Sequence, residues 1–373
     1  MIAKEGRRLI YQLSTIQLFI VQGPSRIPEL SIIIPTLNEA AALPRLLAAL
    51  AQQRDVTCEI LVADGGSGDG TPALARAAGA RVIESARGRG RQMNAAARAA
   101  AAESLLFLHA DSLPESPDHL REALLALRQA AQDAGHDRIA GHFPLRFERS
   151  VPGHDLLFRF LEGKTTLSRP FTINGDQGTL LAARYFKELG GFDERLPFFE
   201  DQRLAARVFA TGRWLTLPGR LATSARRFEA EGHRERLTLM ALMMGLHAGG
   251  FEEFFEAMPH IYAEQGRAGR LDLGRWLATI RGAFRATGLA RMARTFWRAG
   301  RFVRENAWQL FYRRDVARGR LPQHPALDLY DRAIRPLLDH RAADALATAL
   351  LLAWLYLWLP AETALRRGGT TKV

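Results

Sequence analysis

The chain has 373 residues, 47% of them hydrophobic and 24% charged, with a formal net charge of +12 and a single cysteine. That length buries one large core with an appendage, and the composition is that of an ordinary soluble globular protein. One cysteine, Cys58, excludes an intrachain disulfide and fits a reducing compartment. The charge is uneven: residues 267–320 hold fourteen arginines against three acids, Asp272, Glu305 and Asp315. The basic character therefore belongs to a late segment.

Residues 1–28 pair Lys4, Arg7 and Arg8 with an apolar stretch broken by Gln12, Ser14, Thr15 and Gln17. No small-x-small cleavage site follows, so they read as a leader rather than a signal peptide. Ser31-Ile32-Ile33-Ile34 predicts a first strand ended by Pro35, and the leucines at 43, 46, 47 and 50 predict a helix within 39–53. Glu59–Ala63 predicts a second strand, closed by Asp64 and the glycine-rich GGSGDG. Thr71-Pro72 predicts a helix start with a hydroxyl N-cap. Arg81-Val82-Ile83 predicts a third strand, and an alanine-rich helix follows around 92–102. Leu105–Leu108 predicts a fourth strand, with a helix from Ser116-Pro117 to about Ala134.

Strands alternating with helices, and apolar without internal alternation, predict a mostly parallel sheet covered on both faces. Ligands of such sheets bind outside the carboxyl ends of the strands. Three polar segments fall there: PTLNE at 35–39, Asp64, and His109-Ala110-Asp111. Singly, each is an ordinary turn or strand end; their convergence on one edge makes a site. The stretch GRGRQMN at 88–94 adds arginines and backbone N–H groups at a helix start, an arrangement suited to a diphosphate.

Taken together, PTLNE, VADGGSGDGT at 62–71, GRGRQMN and FLHAD at 107–111 resemble the family 2 glycosyltransferases of GT-A fold. GGFDE at 190–194 and FFEDQRLAARV at 198–208 follow in the family's order, so the resemblance covers about residues 30–235. His-Ala-Asp, NGDQG at 174–178 and TSARRFEAEG at 223–232 are similar to a bacterial subgroup sometimes associated with arsenosugar biosynthesis. The resemblance implies an inverting enzyme that moves a sugar from a nucleoside diphosphate to a hydroxyl acceptor. It implies that Pro35, Glu39 and Asp64 border the nucleoside, and that Arg89, Arg91 and Asn94 lie beside the donor. Asp111 corresponds to the last carboxylate of Asp-x-Asp, the ligand of a divalent cation, and Asp201 to the general base. Asp176 and Gln177, in the subgroup's signature, are expected near the donor sugar or acceptor. His109 stands where the family has the first aspartate. Imidazole suits softer ions than magnesium does, so either manganese is favoured or His109 meets the diphosphate directly. A UDP-sugar is expected ahead of a GDP-sugar.

Past residue 236 the resemblance fades. Residues 275–314 interleave arginines with Trp276, Phe284, Phe296, Trp297, Phe302, Trp308 and Phe311, which suits an anionic membrane surface, with packed helices as the alternative. No nucleic-acid module is visible. Residues 345–361 carry no charge, a length at the lower limit of a span. The expected organisation is a leader (1–28), a GT-A domain (29–235) and a helical, Arg-rich, membrane-associated region (236–373), in the cytoplasm or on the inner membrane face, with a lipid-linked acceptor compatible. Competing readings are a sugar nucleotidyltransferase, disfavoured because PTLNE stands where its glycine-rich loop would be, and a non-catalytic nucleotide- or nucleic-acid-binding protein.

Overall fold

A computed structural model describes residues 27–251, 254–255 and 270–363; the leader, except for its last residues, and the basic residues at 366, 367 and 372 lie outside them. The described chain divides into two compact units. The first comprises the chain up to Glu148 together with Leu161–Ser224, and the second Arg149–Phe160 with the chain from Ala225 onward.

The first unit is built on a seven-stranded sheet of order β3-β2-β1-β4-β8-β6-β9. Its strands are β1 (Leu30–Thr36), β2 (Cys58–Asp64), β3 (Arg81–Glu84), β4 (Ser104–Phe107), β6 (Ile139–His142), β8 (Thr179–Ala182) and β9 (Arg213–Thr216). The first four are mutually parallel, and β8 is antiparallel to both β4 and β6. A small second sheet joins β5 (Leu113–Pro114), β10 (Leu221–Ser224) and β7 (Leu145–Glu148).

Alternate residues of the central strands enter opposite cores. Ile32, Ile34, Val62 and Leu106 pack on one face with the helices α1 (Leu43–Ala51), α2 (Thr71–Ala77) and, further along the chain, α4 (His119–Ala134). Ile33, Leu61, Leu105 and Phe107 pack on the other face with α3 (Arg89–Ala99) and two later helices. This two-sided burial is why the strands read as continuous apolar runs. After α5 (Asp155–Lys164) come α6 (Ala183–Glu188) and α7 (Glu200–Thr211).

Three sequence expectations shift. Pro35 does not end β1, which continues to Thr36 opposite Asp64. Odd-numbered residues of β1 bond toward β4, as in Leu108 N–H to Ile33 O, and even ones toward β2, as in Gly65 N–H to Thr36 O. The missing N–H of Pro35 therefore faces the side that β4, ending at Phe107, has already left. Thr71 does not cap α2: its hydroxyl donates to Asp69 and accepts from Glu39 N–H, and left-handed Gly70 takes the cap position. The third helix starts at Arg89, three residues earlier than its alanines suggest.

The second unit is helical. It contains α8 (Arg226–Glu231), α9 (His233–Ala248), α10 (Leu273–Arg285), α11 (Leu289–Glu305), α12 (Trp308–Ala317), α13 (Pro325–Leu329), α14 (Arg335–Leu338) and α15 (Arg341–Ala353), the last extending as one helix to Thr363. Its core is aromatic: Phe251, Phe284 and Phe296 stack in series, with Trp276 and Tyr312 fully buried.

Candidate active site

All eleven site residues read from the sequence fall in the first unit. The loops after β1 and β2 are laced together at the carboxyl edge. Asn38 N–H donates to Ser67 Oγ, Gly68 N–H to Asn38 Oδ1, and Ala40 N–H to Asp69 Oδ2, at 2.8, 2.9 and 3.0 Å. Asp64, at the end of β2, is buried and holds this arrangement: it accepts from Gly66 N–H, Ser67 N–H, Ser67 Oγ and Thr36 Oγ1. Burial opposes its ionisation, but the four hydrogen bonds outweigh that and hold its carboxyl below the usual range. Glu39 lies on the rim so formed, and Pro35 lies in the strand beneath it. Gln92, which the sequence reading passed over, is buried under the same rim and donates to both Thr36 O and Ala63 O, at 2.7 and 2.8 Å. Its only signal was its place inside GRGRQMN.

The second half of the site is assembled by β8. Because β8 runs antiparallel to β4, with Thr179 opposite Phe107, the turn that enters β8 lies beside the segment that leaves β4. That turn is NGDQG, and the segment is His109–Ser112. Ser112 Oγ donates to Asp176 O at 3.0 Å, tying the two. Gly175 sits between two functional candidates: a Cβ placed on it would lie 3.0 Å from His109 Nε2 and 3.2 Å from Asp201 Oδ2. Asp201, on the first turn of α7, accepts Gly175 N–H on Oδ2 at 2.7 Å and Gln202 N–H on Oδ1 at 2.8 Å, which fixes the plane of its carboxylate. Residues separated by more than ninety positions, His109 and Asp201, thus flank one glycine.

Around them charge is concentrated. Asp176 Oδ1 is buried without a hydrogen-bond partner. Burial, then the neighbouring Asp201 and Asp111, push its carboxyl up to about 7, against the pull of Arg89. Arg89 itself forms an ion pair with Glu200, whose carboxylate is fully buried and whose Oε2 is otherwise unpartnered. Burial pushes the Glu200 carboxyl up, opposed by Arg89. Arg91, in the first turn of α3, is exposed.

Two expected donor contacts have other partners. Asn94 is buried, donating to Phe192 O and Glu194 Oε1 and accepting Phe192 N–H, so its amide fastens α3 to the GGFDE turn. Gln177 is fully buried; its Oε1 meets His142 Nδ1 and its Nε2 donates to Thr172 O, so it braces the turn that carries Asp176. Cys58 is half-buried, and burial, with Glu29, raises its thiol to about 12, as expected of an inert side chain.

Residues 31–190 match the family described as Glycosyl transferase family 2. That stretch, less than half of the chain, is similar to a family 2 glycosyltransferase domain. The match indicates a glycosyltransferase, and the mostly parallel α/β sheet of the first unit carries it. The matched stretch of the domain contains every donor-side candidate from Pro35 to Gln177; Asp201 lies beyond it. Solved structures with a similar chain path include the mannosyltransferase PcManGT from Pyrobaculum calidifontis in complex with GDP-Man and Mn2+, at 18% identity over 94% of this chain and 96% of that one, with a TM-score of 0.45. Another is S. aureus TarS 1–349 in complex with UDP, at 17% identity over 86% and 88% of the two chains, TM-score 0.41. A third is glucosyl-3-phosphoglycerate synthase from Mycobacterium tuberculosis with Mn2+ and UDP, at 18% over 47% and 61%, TM-score 0.30. No curated protein matched the chain.

Proposed function

We propose that the domain transfers a sugar from a nucleoside diphosphate donor to a hydroxyl acceptor with inversion, Asp201 acting as general base. The observation that supports this most is the meeting of His109, Gly175 and Asp201 at the carboxyl edge of the sheet, with a buried, unpartnered Asp176 oxygen beside them. In the reaction the acceptor hydroxyl attacks the anomeric carbon and its proton passes to an Asp201 oxygen. The bond from that carbon to the diphosphate breaks, and its electron pair leaves with the phosphate. The amides of Gly175 and Gln202 hold the base in place for this attack.

The donor set suits a divalent cation that takes one or two carboxylates and completes its shell with phosphate oxygens. Asp111 would hold it, with the Asp176 oxygen as a second oxygen donor; among the described residues no group of three ligating side chains exists. Such a cation, manganese or magnesium, would neutralise charge on the departing diphosphate. His109 is read as a donor to the diphosphate and Arg91 as its exposed cationic contact. Glu39 and Asp64 are assigned to the nucleoside, with a uridine diphosphate sugar as first choice. The proposed compartment is the cytoplasm.

The test is product analysis with UDP- and GDP-sugars, with and without manganese. Release of nucleoside diphosphate supports transfer; release of pyrophosphate would indicate a nucleotidyltransferase. Asp201→Asn is expected to retain donor binding by calorimetry while kcat falls by about 10²-fold or more. Near-normal turnover in that variant would remove Asp201 from the role.

A further inference from the structure

His142 closes β6 and is fully buried, yet both nitrogens of its ring have polar partners. Nδ1 lies 3.0 Å from Gln177 Oε1, and Nε2 lies 3.3 Å from Ser168 Oγ and 3.4 Å from Thr216 Oγ1. These partners fix where the ring proton sits. Gln177 Nε2 lies 2.6 Å from Thr172 O, which can only accept, so the amide nitrogen faces that carbonyl and the amide oxygen faces the imidazole. That oxygen also can only accept. Nδ1 therefore carries the proton, and Nε2 accepts from the Ser168 or Thr216 hydroxyl. Burial keeps the ring neutral, pushing its pKa down to about 4, and Trp214 packs edge-on against it with centroids 5.8 Å apart.

On the reading of Asp201 as general base, we propose that His142 is a positioning residue for sugar transfer: its Nδ1–H orients Gln177, and Gln177 sets the turn whose Gly175 amide holds Asp201. Gln177 ends the short 3-10 turn Gly175–Gln177. Its side chain reaches back to Thr172 O and closes the loop in which Gly175 and Asp176 lie. Backbone bonds pin the same residue, with Phe143 N–H donating to Gln177 O and Gln177 N–H to Asn174 O. Two residues before Gln177, Gly175 N–H donates to Asp201 Oδ2. The imidazole itself stands on a ladder rather than a loop, because β6 pairs with β8 on one side and with β9 on the other, His142 opposite Thr216. An apolar side chain would fill this space without a desolvated ring to satisfy. It would not select one of the two ways round of the Gln177 amide. With no donor at Nδ1, Gln177 Oε1 is buried unpaired, which favours turning the amide and releasing Thr172.

Three variants of the full-length protein separate positioning from packing. His142→Phe fills the space and removes both nitrogens. His142→Asn brings an amide nitrogen near the place of Nδ1, whereas His142→Gln brings its amide near the place of Nε2. With a UDP-sugar as donor, kcat is expected to fall about 10-fold or more in the Phe and Gln variants, with donor affinity by calorimetry within about threefold of the parent. The Asn variant is expected to restore kcat to within about threefold. Amide hydrogen exchange over residues 174–178, read by mass spectrometry, should follow the same order: about tenfold faster in the Phe and Gln variants and near parental in the Asn variant. Should the Phe variant fail to fold, the Gln variant carries the comparison. Equal losses of kcat in all three variants would make His142 a packing residue, and unchanged exchange would deny its hold on the turn; either result overturns the proposal and leaves Asp201 in place. Exchange is read without turnover, so near-normal activity of Asp201→Asn with the exchange order intact would strike the general base alone.

Discussion

Gly175 is the residue on which the site's geometry is most finely set. Any side chain there must fit between His109 and Asp201, and the contacts a Cβ would make, 3.0 and 3.2 Å, are tighter than side-chain neighbours normally allow. Gly175→Ala is therefore expected to shift the imidazole and the Asp201 carboxylate apart by a few tenths of an ångström. The fold should barely register it, within about 1 kcal/mol by urea denaturation, while kcat drops by about 10-fold or more if Asp201 has the role proposed for it, because small misplacements of a positioned catalytic group are costly. A melting curve shifted as strongly as the rate would show that the glycine serves only packing. At this scale the sequence was legible for residue types and mute about partners. Asp64 and His109 could be singled out by position after their strands, and Asp201 only through its resemblance to the family's motif. That Asn94 and Gln177 turn their amides to backbone and to His142 depends on contacts with residues 192–194 and 142, distant along the chain and unmarked by local spacing.

Among the elements, the joint between α3 and α7 is held by a buried ion pair. Glu200 opens α7 fully buried, and Arg89, opening α3, is its ion-pair partner. Gly90 lets the two helix starts approach, its Cβ position lying 3.6 Å from that of Glu200. Arg89→Met should leave an uncompensated buried carboxylate and cost about 3 kcal/mol, whereas Arg89→Met with Glu200→Leu should recover much of that loss. Urea denaturation of the two single variants and the double variant measures the coupling, and additive losses would deny it. The elements themselves were readable because their causes are local: β-branched runs, leucines at helical spacing, proline after threonine. Boundaries slipped where the cause was tertiary. Pro35 stays inside β1 only because β4 has ended beside it, and α3 begins at Arg89 because that arginine has a buried partner 111 residues away.

For the whole molecule, acid sensitivity follows from two buried imidazoles in the first unit. Burial depresses His119 and His142 to about 4 each. In the unfolded chain both titrate near pH 6.5. Between those values the unfolded state binds more protons, so stability falls as pH drops from about 6.5 to about 4, by about 1.4 kcal/mol per pH unit for each histidine. Asp176, raised to about 7, works the other way, favouring the fold as pH drops below that value. Glu200, also raised by burial, acts in the same sense as Asp176, so each histidine's share is read from its own variant. His119→Leu, which replaces a ring whose Nε2 has no partner and which packs on Phe143, should flatten the acid limb of a denaturation-midpoint profile. An unchanged limb would deny its part in the acid response. The parallel architecture could be read from periodicity. The strand β8, which completes the site, could not, since four residues after a turn tell nothing of which neighbour they pair with or in what direction.

That reversed strand also divides the freedom of the chain. Asp176 stands three residues ahead of Thr179, whose pairing with Phe107 is locked into the ladder. A one-residue slip there would turn two core faces inside out. Length changes must therefore be absorbed upstream of Asn174, where the chain can lengthen or shorten without moving the acid. Variation in what the enzyme accepts can accumulate in that approach while the chemistry stays anchored.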